Sequence, residues 1–149
     1  MFLIDSNQAS LKDKIGEKLI DILQEEERVI VTPLEHGDIA FSGRIETEEG
    51  LWKPTLGFEL KKTPSDVMAS LRDGRFMTQL PGMIADYDLA YIVEIGKPLT
   101  VNFRTGKIIE RRRSKTFDSP FSWKYLNGIY AKFEAAGGLI RHVPDMEHL

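Results

Sequence analysis

Three charged side chains near the middle of the chain have the types and the spacing that a divalent-cation site requires. Asp38 follows Gly37, and Glu59 and Lys61 lie two residues apart. In a strand, Glu59 and Lys61 would share a face at a separation of roughly 6.6 Å. Carboxylates bind hard divalent cations, and a nearby ammonium stabilises the oxygen that the cation activates. The pattern therefore indicates metal-assisted hydrolysis, with a surface hairpin that bears ordinary charges as the alternative.

Two strands are predicted to bring these side chains together. In residues 38–41, Ile39 and Phe41 would share the inward face of a strand, with Asp38 on the opposite face. Residues 58–62 alternate in the same way and place Glu59 on the polar face. If the two strands pair through a hairpin at residues 46–50, the two carboxylates meet across the pair.

The order of the motifs resembles the XPF-type structure-specific DNA nucleases, a branch of the PD-(D/E)XK superfamily. The motifs that carry the resemblance are Gly37-Asp38, Glu59-Leu60-Lys61-Lys62, Asp66, Asp73-Gly74-Arg75-Phe76, Gln79 and the apolar run from Leu89 to Glu94. The resemblance covers the chain from Phe2 to about Val143. It implies an α/β fold with a restriction-endonuclease-like central mixed β-sheet flanked by helices. It also implies a metal-dependent DNA endonuclease that hydrolyses phosphodiester bonds in branched, flapped or single-stranded DNA.

The resemblance also implies which residues form the catalytic centre. Asp38, Glu59 and Lys61 are the expected catalytic residues, and Mg²⁺ or Mn²⁺ is the expected cofactor. Asp38, Glu59 and Asp5 are the expected metal ligands. Asp5 lies at the end of an apolar run, where the alternative role is an N-cap for a following helix.

Three further residues are expected to support this centre. Asp66 matches the family's aspartate, although a carboxylate in the first turn of a helix also stabilises that helix. Arg75 and Gln79 match the family's arginine and glutamine. They lie one helical turn apart and share a face. They could contact a phosphate or hold Glu59, or they could be an ordinary pair of surface residues.

The amino-terminal motif departs from the family pattern. The family has an apolar strand that ends in Asp-x-Arg-Glu, whereas Asn7 and Gln8 occupy the last two positions here. The loss of an acid and a cation favours, as the alternative function, a catalytically inactive DNA-binding or scaffolding subunit with the same fold. The brevity of the chain suggests a third interpretation, a phage-like or mobile-element nuclease.

The composition bounds the class of protein. A chain of 149 residues is the size of one domain, so a single XPF-type nuclease domain is expected over residues 1–149. The absence of cysteine excludes disulfides, thiolate zinc sites and a cysteine nucleophile. No apolar run approaches the ~20 residues of a membrane span. We therefore expect no membrane partner and a cytoplasmic location, or the host-cell cytoplasm for a phage-encoded protein.

DNA affinity has to come from a local patch, because the formal net charge is −3. A basic cluster supplies the expected DNA-binding residues, and its members are Arg111, Arg112, Arg113 and Lys115. The alternative is a solvated loop. The family usually adds a helix-hairpin-helix module, which this sequence lacks. Targeting is therefore expected to come from a partner protein, from a homodimer or from the basic cluster.

The remaining pattern predicts helices and strands in alternation. Apolar residues recur at helical spacing from Leu11 to Leu23, at residues 66–73, at 75–86 and at 123–133. Strands are predicted at 2–5, 28–32, 89–95 and 139–143. We expect Thr63 to cap the helix that contains Asp66, and Pro81-Gly82 to bend or interrupt the next helix. Residues 97–120 are predicted to be the least regular segment, with a small hairpin around Arg104-Thr105-Gly106.

Overall fold

A computed structural model describes residues 2–6, 29–43 and 45–145 of the chain. The described residues form ten strands and three helices. These are β1 Phe2–Asp5, β2 Val29–Thr32, β3 Ile39–Ser42, β4 Ile45–Thr47, β5 Gly50–Trp52, β6 Thr55–Thr63, α1 Ser65–Asp73, α2 Phe76–Asp86, β7 Leu89–Gly96, β8 Lys107–Arg112, β9 Lys115–Ser122, α3 Trp123–Ala135 and β10 Leu139–Val143. The helix predicted from Leu11 to Leu23 lies outside the described residues.

Six of the described strands form one mixed sheet in the order β10-β7-β6-β3-β1-β2. Only β3 among them runs antiparallel to its neighbours β1 and β6; the other adjacent pairs are parallel. The sheet confirms the predicted central mixed sheet. The β3–β6 pair also has the predicted register, since Ile39 lies opposite Phe58. The two strands are joined through the small β4–β5 hairpin.

The alternation in β6 separates apolar packing from charge. Phe58 and Leu60 pack against a cluster that includes Ile39 and Val93 on one face of the sheet. Glu59 and Lys61 point to the opposite face, because successive side chains of a strand alternate. That opposite face carries the main core, which α1, α2 and α3 form with β7 and β8. Its buried residues are Val67, Met68, Leu71, Phe76, Leu80, Met83, Ala90, Ile92, Ile108, Leu126, Tyr130 and Phe133.

The predicted cap at Thr63 and the predicted interruption of the next helix at Pro81 are both wrong. Thr63 is the last residue of β6, and its hydroxyl donates to the carbonyl of Lys97 at 2.5 Å instead of capping α1. The helix continues through Pro81, which lies on its exposed side. Proline has no N–H, so the carbonyl of Met77 lacks its usual hydrogen bond within the helix. On the exposed side this carbonyl can bond to water, and the helix continues without a buried, unpaired carbonyl.

The segment 97–120 is more regular than predicted. A bridge between Val101 and Ile108 confirms the small hairpin, but β8 and β9 extend it into a long antiparallel pair. The alternation that would identify these two strands in the sequence is weak. Ile108 faces the core, but the outer half of the strand pair is exposed and charged. No helix within the described part of the chain is long and apolar enough to cross a membrane.

Candidate active site

Asp38 is held at the edge of β3 by backbone hydrogen bonds on both sides. Its amide donates to the carbonyl of Phe58 at 2.8 Å, and its carbonyl accepts from the amide of Asp5 at 3.0 Å. The carboxylate is buried, and its Oδ2 accepts from the amide of Leu60 at 2.6 Å. Its Oδ1 is buried and has no hydrogen-bond partner among the described residues. One carboxylate oxygen is therefore fixed, and the other is left for a further ligand.

The loop before Asp38 is fixed to α2. The imidazole of His36 bonds to Asp86 at 2.6 Å, and the carbonyl of His36 accepts from the hydroxyl of Tyr87 at 2.6 Å. A Cβ at Gly82 would lie 2.3 Å from the imidazole, so glycine is required at that position for the ring to pack on the helix. Gly37 then turns the chain with a φ of +87°, a conformation that favours glycine. These contacts position Asp38 from outside the sheet.

Lys61 is enclosed by three hydrogen-bond acceptors. Its Nζ lies 3.1 Å from Glu59 Oε1, 2.8 Å from Ser70 Oγ in α1 and 3.0 Å from Gln79 Oε1 in α2. The ring of Phe76 lies below the ammonium, 5.3 Å away. Lys61 is only 3% exposed, and an ammonium has three N–H donors. Each donor therefore has an acceptor, and the side chain is held in one position.

Asp5 lies on the other side of Asp38 from Glu59. The registers of β1, β3 and β6 place Asp5, Asp38 and Glu59 side by side on one face of the sheet. The Oδ1 of Asp5 accepts from the amide of Leu34 at 3.2 Å, and the side chain is buried. We refer to Asp5, Asp38, Glu59 and Lys61 as the acidic cluster. The structure thus places the predicted metal ligands and the predicted catalytic lysine on one face of the sheet.

Burial of these carboxylates disfavours their charged forms, and neighbouring acids add to the effect. Burial raises the pKa of Asp38 to about 8, and the neighbouring Glu59 adds to that rise, whereas the hydrogen bond from Leu60 opposes it. Burial likewise raises the pKa of Glu59, while the Lys61 ammonium opposes the rise. Perturbed carboxylates of this kind concentrate at functional sites, because a bound cation or a proton has to balance them.

The predicted supporting residues have different positions. Gln79 enters the cluster directly through Lys61. Arg75 is half exposed, lies 3.4 Å from Asp73, and is near enough to Glu59 to lower its pKa. Asp66 accepts from the amide of Lys62 at 3.0 Å, so it ties the end of β6 to the first turn of α1. Asn7 and Gln8, which depart from the family motif, lie outside the described residues.

Comparison with known proteins decides the family. The ERCC4 domain family matches the chain over residues 4–131. The chain belongs to the ERCC4 domain family. No curated protein sequence gave a match.

Solved structures share the fold of this ERCC4 domain. The chain is similar to XPF from Aeropyrum pernix in complex with DNA, with a TM-score of 0.54 and 19% identity, over 98% of this chain and 57% of that chain. A second structure of XPF from Aeropyrum pernix has a TM-score of 0.54 and 20% identity, over 98% and 54%. This ERCC4 domain thus spans slightly more than half the length of both chains. The family match confirms the predicted XPF-type nuclease domain, and the two solved structures share its fold.

The predicted DNA-binding residues of this ERCC4 domain lie at the turn between β8 and β9. Arg111, Arg112, Arg113 and Lys115 are all exposed. Arg113 and Ser114 form the turn with positive φ angles, and the guanidinium of Arg112 lies 5.8 Å from the ring of Phe117.

Sequence reasoning missed two residues of this ERCC4 domain. Ser70 is fully buried and bonds to Lys61, but a small polar residue on a helix gives no signal of its own. A serine on the inward face of α1, among Val67, Met68 and Leu71, was the available hint, because buried polar groups need partners. Glu110 is buried and pairs with Arg72, which attaches β8 to the last turn of α1.

Proposed function

We propose that this ERCC4 domain is a metal-dependent DNA endonuclease that hydrolyses phosphodiester bonds in branched, flapped or single-stranded DNA. The observation that carries the proposal is the acidic cluster, in which Asp5, Asp38 and Glu59 lie beside a fully hydrogen-bonded Lys61. The family match supports the nuclease class. The XPF structure from Aeropyrum pernix is a complex with DNA, which supports DNA as the partner of this chain.

The residue types of the cluster suit a hard divalent cation, which we propose to be Mg²⁺ or Mn²⁺. Carboxylate oxygens are the ligands that such ions prefer. Asp38 Oδ1 is a buried oxygen without a hydrogen-bond partner among the described residues, and burial raises the pKa of Asp38 and of Glu59. Asp38, Glu59 and Asp5 would hold the ion. When bound, the ion would lower the pKa of a water molecule and offset charge on the scissile phosphate.

Lys61 supplies a fixed positive charge beside this site. Because Ser70 and Gln79 hold the ammonium from the two helices, its position does not depend on Glu59 alone. A preorganised ammonium in a buried site stabilises the negative oxygen that develops during hydrolysis, with little cost of reorganisation. We assign catalytic roles to Asp38, Glu59 and Lys61, and positioning roles to Asp66, Gln79 and Ser70. Arg75 is exposed enough to contact a phosphate.

The basic turn between β8 and β9 is proposed to bind the DNA backbone. Arg111, Arg112, Arg113 and Lys115 are long, exposed side chains, which suits phosphate contacts that vary with the DNA structure. The Arg72–Glu110 pair attaches this turn to α1, the helix that also carries Ser70.

Cleavage of labelled single-stranded, duplex, flap and fork DNA tests the proposal. We expect the wild type to cut in Mg²⁺ or Mn²⁺ and to stop in EDTA. Glu59→Gln and Lys61→Ala should each lower cleavage by at least ~1000-fold while they retain DNA affinity within about threefold. Titration calorimetry should show that Glu59→Gln also loses Mn²⁺ affinity.

Glu134→Gln and Lys132→Ala are matched controls, because they make the same chemical changes at exposed positions of α3. Both should cut and bind Mn²⁺ as the wild type does. Absence of cutting on every substrate and with both ions, together with DNA binding by the wild type and both active-site variants, would refute catalysis. That outcome would support the DNA-binding or scaffolding subunit instead.

A further inference from the structure

Positive charge is concentrated in one part of the chain. Residues 97–125, which we call the cationic segment, contain eight lysines or arginines and two acidic residues, a net charge of +6. The whole chain has a net charge of −3, so the other 120 residues carry −9. A polyanion is therefore attracted to this segment and repelled by the remainder of the surface.

Exposed aromatic side chains are concentrated in the same segment. Among the described residues, five aromatic side chains are exposed, and Trp52 alone lies outside the cationic segment. The other four are Phe103, Phe117, Trp123 and Tyr125. Aromatic rings interleaved with cations are the usual composition of surfaces that bind single-stranded nucleic acid, because every base presents a face for stacking and every phosphate a charge.

Phe103 is the extreme case, with its side chain 100% exposed. It lies at the tip of a turn whose ends are joined by a hydrogen bond of 2.7 Å from the amide of Gly106 to the carbonyl of Asn102. The side chains of Asn102 and Thr105 donate to the two carboxylate oxygens of Asp118 in β9, at 3.0 and 2.9 Å. The turn is thus fixed to the strand pair, and the ring projects from an ordered support.

The neighbours of Phe103 extend the same surface. Arg104 follows it and is exposed, and its amide donates to the side chain of Asn102 at 2.9 Å. Trp123, the first residue of α3, donates from its amide to the carbonyl of Gly106 at 2.9 Å. A second exposed aromatic residue, Trp123, therefore lies directly beside the turn.

From these contacts, we propose that Phe103 stacks on an unpaired base of single-stranded DNA while Arg104 binds the adjacent phosphate. A fully exposed phenyl ring gains nothing from the core, whereas stacking on a base buries one of its faces. The +6 charge of the segment selects a polyanion over an apolar protein surface. The proposal rests on the proposed nuclease function for the presence of DNA, and it adds an unpaired strand as the feature that this domain reads.

Fluorescence anisotropy with a 12-nucleotide single strand and a duplex of the same length tests the proposal. Phe103→Ala should weaken single-strand binding by about 5- to 100-fold and leave duplex binding within twofold. Phe103→Tyr should retain the wild-type affinity, and Phe103→Leu should not, because leucine is apolar but cannot stack. With 2-aminopurine in the strand, the wild type and Phe103→Tyr should quench its emission, and Phe103→Ala and Phe103→Leu should not.

Trp52→Ala is the matched control, since it removes an exposed aromatic ring outside the cationic segment. It should bind both DNAs as the wild type does. The proposal is overturned if Phe103→Ala binds the single strand as the wild type does, if Phe103→Leu retains full affinity, or if Phe103→Ala alters sedimentation of the protein instead of DNA affinity. If single-strand binding depends on Phe103 but no DNA is cut, the proposed nuclease activity is refuted and the role of Phe103 stands. If DNA is cut but single-strand binding does not depend on Phe103, the nuclease activity stands and the role of Phe103 is refuted.

Discussion

The acidic cluster and the cationic segment place charge in opposite ways. In the acidic cluster the charged groups are buried, and neighbouring backbone and side chains fix the positions of Asp38 and Lys61. In the cationic segment the charges sit on long, exposed side chains, and its order comes from turn residues such as Asn102 and Asp118. Burial strengthens electrostatic interactions and suits chemistry at one atom. Exposure weakens each interaction but allows many phosphates to be contacted in varied geometries.

The contrast also separates the expected effects of mutation. A change in the acidic cluster should alter the rate of chemistry with little effect on DNA affinity. A change in the cationic segment should alter affinity and its dependence on salt with little effect on the chemical step. The Arg72–Glu110 pair is one structural link between the two regions, and the packing of Ile108 in the main core is another.

The largest expected effect in the cationic segment comes from removal of the positive charges of the basic turn. A variant in which Arg111, Arg112, Arg113 and Lys115 are all changed to Gln should lose roughly 100-fold in duplex affinity at 50 mM salt. For every phosphate that the variant no longer neutralises, the slope of log affinity against log salt should become shallower by about 0.9. Filter binding across a salt series measures both quantities. Single-turnover cleavage at saturating protein should remain within about threefold of the wild type.

Two exposed lysines elsewhere provide the control for that variant. Lys53→Gln with Lys132→Gln removes positive charge outside the cationic segment and should shift affinity by less than about threefold. An unchanged salt slope in the four-residue variant would show that the basic turn does not contact DNA.

The next effect is at Ser70. Ser70→Ala removes one of the three acceptors around the Lys61 ammonium, so kcat should fall by roughly 10-fold, since a hydrogen bond to a charged group contributes about 1.5–3 kcal/mol. KM and DNA affinity should stay within about twofold. Ser119→Ala is the matched control, because Ser119 is also a buried serine and, among the described residues, its hydroxyl bonds to Phe121 of the same strand. Equal kcat values for the two variants would refute a positioning role for Ser70.

The last effect concerns how the stability of the metal-free protein depends on pH. The pKa of Asp38 is raised from 3.8 to about 8 in the folded state, so the folded protein binds more protons than the unfolded chain between these values. Stability should therefore fall as pH rises through this window, by up to roughly 1.4 kcal/mol per pH unit for this one carboxyl. Urea unfolding in EDTA from pH 5 to 8 measures the slope.

Asp38→Asn checks the origin of that slope. The amide cannot ionise, so this variant should show a shallower decline than the wild type, and Mn²⁺ should stabilise the wild type more than the variant at pH 8. An identical slope in Asp38→Asn and the wild type would mean that Asp38 is not the group responsible.

Much of the fold was predictable because its signals are local. The alternation at residues 38–41 and 58–62 predicted which faces Asp38, Glu59 and Lys61 occupy, and the β3–β6 pairing agrees. The strand at 139–143 has the predicted bounds. The predictions that failed depend on context instead. Thr63 bonds to Lys97, 34 residues away, and so does not cap α1. Pro81 lies on the exposed side of α2, so the helix continues.

The residue types of the site, the faces that they occupy and the family pattern follow from the sequence, because strand periodicity and motif spacing are properties of neighbouring residues. The surroundings of each group depend on how distant segments pack. Ser70 and Gln79 come from two helices, and His36 is held by Asp86 from fifty positions along the chain. Burial and hydrogen bonding between distant segments set the pKa of Asp38 and the position of Lys61, and no local pattern encodes those contacts.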